Sequence, residues 1–180
     1  MITRLLIFCV LLVAASGLSV SAEDLQAQAQ QSFEQMLRAG AEEATDEQIG
    51  AAETDIKAAM KAGKQIGGYE AMLATVYGFE LSRHPWKALW IGPKIRSLYR
   101  SALRREPENA YVHYLAGAGF MKAPEKFRDL AEAERLLRRA EELYVKDGDA
   151  AGCEKARHRL DELNALENQS SGVRSREETP

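Results

Sequence analysis

The chain has 180 residues, 46% of them hydrophobic and 28% charged, with a net charge of −3. That composition suits one globular domain with an apolar core, and its acidic balance argues against nucleic acid, whose phosphates call for a basic face. Of the two cysteines, Cys9 and Cys153, the first falls in a leader-like segment, so the processed chain has no internal disulfide.

Residues 1–22 read as a cleavable signal peptide. Met1-Ile2-Thr3-Arg4 is a short positive start, residues 5–15 form an uncharged apolar run, and Gly17 interrupts it. Val20 and Ala22 place small residues at −3 and −1 of a cut near Ala22-Glu23. The run is shorter than the roughly 18 apolar residues of a membrane-spanning helix; the alternative is that the segment is kept as an anchor. Cys9, behind bulky Phe8, is not a lipid-attachment site. Processing removes Arg4, taking the net charge from −3 to −4, and implies a periplasmic or secreted protein.

Seven helices follow, because apolar residues recur at helical spacing and nowhere alternate with period two. The first spans about 24–38 and stops at Gly40. The second starts at Thr45, which has capping-box spacing to Gln48, and runs to about 62. Gly63, Gly67 and Gly68 loosen the connection to a third helix over about 69–83, which ends before Pro85. The fourth carries Ile95, Leu98, Tyr99, Ala102 and Leu103 up to Pro107. The fifth spans about 109–121. The sixth starts at an Asp129 N-cap and ends at Gly148; a closing helix covers 149–164. Residues 168–180 are polar and expected to be disordered. Cys153, at an apolar helical position, is expected to be a small buried hydrophobe.

The sequence repeats at an offset of 38: Gly78 falls on Ala116, Leu98 on Leu136, Tyr99 on Leu137 and Ala102 on Ala140. Both copies, about 70–107 and 108–147, read as helix, proline-containing turn, helix. Small residues are expected where two helices meet closely, and a period of this size marks a stack of helical hairpins. The pattern resembles the tetratricopeptide (TPR) family. Leu115-Ala116 fits the Leu-Gly pair of its first helix, and Ala133, Leu137 and Ala140 fit the second; Gly78, Tyr99, Ala102 and Pro107 fit the preceding unit. The period exceeds the family's usual ~34, Val112 stands where Trp is common, and Ile95 where Ala is. The resemblance implies an all-α, right-handed stack of antiparallel hairpins over 23–167, with a concave groove lined by the first helix of each unit.

On that groove the expected partner-binding residues are Tyr77, Tyr111, His113 and Tyr114, with Trp86, Lys87, Trp90 and Arg96 as a second patch at the expanded turn. The turn extras recur, Pro85-Trp86-Lys87 matching Pro124-Glu125-Lys126, so Trp90 and Phe127 are expected to fold back over their hairpin tips. Residues 83–105 hold seven bases and no acid, whereas 23–60 hold nine acids and two bases. Such complementary blocks are expected to pair within a chain or between copies. Catalysis and metal binding are not expected: His84, His113 and His158 lie in different elements, and Cys153 and His158 are on different helix faces. Glu106 and Glu108 near His113 read as a surface helix cap, Gly67-Gly68 lacks phosphate-loop spacing, and no cofactor is implied. Asn168-Gln169-Ser170 has sequon form but lies in the tail. The expected function is an exported scaffold that binds a protein or peptide in its groove. The alternative is an envelope protein that meets an anionic membrane or an acidic partner through turn 83–105.

Overall fold

The computed structural model describes residues 20–63 and 66–177, so the expected signal peptide lies outside the described residues apart from its last three. Among the described residues there are seven α-helices and no strand: α1 (Ala22–Glu43), α2 (Asp46–Ala62), α3 (Ile66–Arg83), α4 (Ala88–Arg105), α5 (Ala110–Lys122), α6 (Leu130–Asp147) and α7 (Ala150–Glu177). Single 3-10 turns, Pro85–Lys87 and Glu125–Phe127, precede α4 and α6. No helix of the described residues is long and apolar enough to cross a membrane.

Side chains fix most helix starts. Ser21 accepts from the Asp24 amide at 3.1 Å while Asp24 accepts from the Ser21 amide at 3.2 Å, a complete capping box. Thr45 and Gln48 repeat the arrangement on α2, at 3.2 and 2.9 Å. Asn109 accepts from Tyr111 and Val112, and Asp129 from Glu132. Gly148, with φ 71°, closes α6 in the left-handed conformation glycine adopts without strain. Gly40 interrupts α1 as expected, at φ 80° and ψ 164°, but helical chain resumes beyond it to Glu43. The closing helix runs past the expected boundary at Asn164.

Helix α3 starts earlier than its glycines suggest. The carboxylate of Glu106, from the α4–α5 turn, accepts from the Gly68 amide at 3.0 Å. A Cβ at Gly67 would stand 2.8 Å from the same oxygen. The glycine pair therefore admits a capping carboxylate rather than loosening a loop.

Each helix packs on the next in sequence, and α1, α3, α5 and α7 also touch one another in turn. The core runs through this row. It includes Phe33 and Met36 of α1, Ile56 of α2, Val76 of α3, Tyr99 of α4 and Leu137 of α6. Tyr99 lies against Gly119, where a Cβ would fall 2.4 Å from its hydroxyl. Thr75 Oγ1 donates to the Ala71 carbonyl at 3.0 Å, so in the 3.0 Å contact between the two hydroxyls Tyr99 is the donor. Burial pushes the Tyr99 hydroxyl up to about 12. Ala102, Ala116 and Ala140 are fully buried, as the repeat requires, but Gly78 is not a packing glycine: a Cβ there would meet nothing within 4 Å. Within the second repeat, Gly117, against Leu137, and Gly119 are the close-approach glycines. Cys153 is free and buried, as expected.

Candidate functional site: a tryptophan ledge

The two hairpins share a register but not a length. With Tyr99 on Leu137 and Ala102 on Ala140, Ala88 corresponds to Lys126, yet α6 begins only at Leu130. Helix α4 thus starts about one turn, ~6 Å, earlier than its counterpart. Its inner side is held, since Ile91, Ile95 and Leu98 pack against the core. Among the described residues the outer side of the extra turn meets no neighbour. Leu89 is 71% exposed, Trp90 72%, and Trp86 in the preceding 3-10 turn 65%. Together with exposed Pro93 they occupy i, i+3, i+4 and i+7, one face of a helix.

This corrects the expectation that Trp90 and Phe127 fold back over their hairpins. Trp90 points away, and Phe127 is itself exposed. Among the described residues the only ring stacked near the ledge is His84, edge-on to Trp86 with centroids 4.7 Å apart. Because Pro93 has no amide, the Leu89 carbonyl has no helical donor, and Gly92-Pro93 marks where the projecting turn joins the rest of α4.

The cations beside the ledge are engaged within the chain. Arg83 Nε donates to Asp46 at 2.8 Å, Lys87 to Glu80 at 2.6 Å, and Lys94 to the Tyr77 hydroxyl at 2.8 Å. Lys94 also lies 4.1 Å over the Tyr77 ring. Arg96 donates to the Phe127 carbonyl at 3.2 Å and covers the Phe120 ring. Arg105 meets Glu70 at 3.4 Å. Among the described residues Arg100 and Arg104 have no ion pair or hydrogen bond.

The acidic and basic blocks therefore pair only in part, directly at Asp46–Arg83 and through Tyr77 at a second point. The Tyr77 hydroxyl donates to Glu53 at 2.9 Å, and Lys57 donates to the same oxygen at 2.6 Å. Burial works to raise the Glu53 carboxyl, but hydrogen bonds from Lys57 and Tyr77 prevail and hold it below its ordinary value.

Of the residues expected on a groove, Tyr77 and His113 are not presented to solvent. Tyr77 is buried by the network just described. His113 is buried too, its Nε2 donating to the Pro107 carbonyl at 2.9 Å. Tyr111 and Tyr114 are half-buried. Burial and the Glu34 carboxylate of α1 push the Tyr111 hydroxyl up, and the Tyr114 hydroxyl favours the charged form of Arg159 of α7. Helices α1 and α7 thus lean on the side expected to be open. Of the expected site residues, only Trp86 and Trp90 form an accessible cluster; Lys87 and Arg96 flank it, tied down. Leu89 was missed, and its signal was the spacing to Trp86 and Trp90, which shows only when 86–90 is read as helical.

At the other end of the helices an open cleft of about 860 Å3 is lined by Glu106, Glu108, Tyr111, Tyr144, Asp147 and Asp149. Glu106 caps α3, Glu108 is held by Arg139 at 2.7 Å and Lys146 at 3.3 Å, and Asp149 accepts from the Gly152 amide. Most of these acids serve the fold, and no group of His, Cys, Asp and Glu suited to a metal occurs among the described residues. Family models, curated proteins and solved structures give no match to the chain, so the ledge is read on its own residues.

Proposed function

We propose that the chain is an exported, TPR-like scaffold for protein–protein interaction, and that it docks through the tryptophan ledge rather than through a concave groove. The observation that carries this reading is the exposure of Trp86, Leu89 and Trp90 on one helical face. Indoles are the commonest interface anchors, combining large apolar area with few rotatable bonds to immobilise. A soluble domain leaves such a contiguous face uncovered where something else covers it.

The in-chain pairing of Arg83, Lys87 and Lys94 favours a protein over an anionic membrane. Adsorption to anionic lipid draws about 1 kcal/mol from each cation free near the surface, and the cations nearest the indoles are already matched. The stack itself would serve as a rigid frame that holds the ledge out.

Affinity capture from the envelope fraction tests the reading. The wild-type chain is expected to retain a protein that W86A/W90A does not. Capture that survives W86A/W90A but fails with Y111A/Y114A would return the site to the groove, and co-sedimentation with anionic vesicles lost in W86A/W90A would return it to the membrane.

A further inference from the structure

Resting on the reading of the ledge as a docking surface, we infer that its occupant is a second copy of this chain, related by a two-fold axis through the α3–α4 turn. Charge selects that occupant. Three successive turns lie side by side at this end of the molecule. The α1–α2 turn reaches the α3–α4 turn through Asp46, 2.8 Å from Arg83 and 3.7 Å from His84. The α5–α6 turn is tied to α4 by Arg96 on the Phe127 carbonyl.

Across these turns the surface changes sign with the ledge in the middle. On one side Glu42, Glu43 and Glu47 are exposed and have no ion pair among the described residues. On the other, Lys126 and Arg128 are exposed, with unpaired Arg100 nearby on α4. Glu125 and Asp129, the latter the cap of α6, offset the two charges of that turn, and Arg96 with Arg100 of α4 keeps this side net positive. A surface ordered negative, apolar, positive is its own complement after a half-turn. The glutamates of each copy then face the basic turn of the other, and indole meets indole at the axis. That is the isologous geometry of most homodimers.

The area is adequate. At roughly 250 Å2 per indole, exposures of 65% and 72% leave about 340 Å2 per copy. Two copies contribute about 680 Å2 from tryptophan alone, and Leu89 with the flanking turns brings the total toward the ~1,000 Å2 of a specific interface. Of the charges left unmatched in the acidic and basic blocks, Glu42, Glu43, Glu47 and Arg100 fall in the same contact.

The test is sedimentation equilibrium on the protein expressed from residue 1 and purified as the cell leaves it. A monomer–dimer equilibrium is expected, weakened by salt and by W86A or W90A, each by roughly tenfold or more. Charge exchange identifies the geometry: E43K/E47K and K126E/R128E should each remain monomeric alone and associate when mixed, because only the mixed pair sets opposite signs on both sides of the axis. Wild type that stays monomeric, a dimer indifferent to W86A/W90A, or exchange variants that associate no better mixed than alone would overturn the inference. Both tryptophans of the chain lie on the ledge, so acrylamide quenching separates the remaining outcomes. A monomer whose indoles are shielded by phosphatidylglycerol vesicles or by poly-glutamate keeps the ledge as a docking surface and discards the second copy. A monomer shielded by neither discards the second copy, and the affinity capture described above then decides whether the ledge docks another protein.

Discussion

His113 shows how a residue suited to a binding face can instead be part of the frame. Its ring is buried in α5, with Nε2 donating to the Pro107 carbonyl. Burial depresses its basicity, and Arg139 and Arg135 add to the effect. A base with a lowered folded pKa holds fewer protons folded than unfolded. Its contribution is therefore intact above the ordinary value of 6.5 and is lost as pH falls through the folded value. Glutamine can keep the donor to Pro107 but does not titrate. Between about pH 8 and about pH 5 the urea midpoint of H113Q is expected to fall less than that of wild type; equal falls would show that this ring does not set the slope. The sequence places His113 between Tyr111 and Tyr114, which looks like an aromatic recognition face. What it does not reveal is that α1 and α7 supply Gln30, Glu34 and Arg159 to that face, because contacts between helices so far apart in the chain leave no local pattern.

At the level of elements, the boundaries that side chains set were legible, and those set from a distance were not. Thr45, Asp129 and Gly148 each act on their own helix and end it where their chemistry says. Helix α4 defeats the same reasoning. Pro85 and Pro93 frame a segment that looks like a turn, yet only 85–87 form one, and Pro93 lies inside the helix. The α3–α4 connection needs only a single 3-10 turn, so helix begins at Ala88 and includes the proline at the expense of one hydrogen bond. P93A restores the donor to Leu89 and is expected to stabilise the protein by up to about 3 kcal/mol, read as a higher urea midpoint. A lower midpoint would mean that the proline is required for α4 to seat on α3.

For the whole molecule, the 38-residue offset was a sound guide to packing at Tyr99, Leu137, Ala102 and Ala140, all buried, and a poor one at Gly78. Repetition in sequence marks positions under the same packing demand; it does not say which copy departs from the plan, and the departure at 86–90 is what leaves an apolar face uncovered. One long-range contact bears on how such a molecule comes apart. Glu106 lies beyond the end of α4, yet its carboxylate holds the first turn of α3 and also accepts from the Asn109 side chain, the cap of α5. Replacing it with alanine is expected to destabilise by about 0.5–2 kcal/mol, and amide exchange would show the loss as faster exchange at Gly68 and Tyr111 alike. Linear arrays of hairpins commonly fray from their ends one unit at a time. Here a single carboxyl group fastens the first turns of α3 and α5 together, so the two are expected to open in one step rather than in sequence.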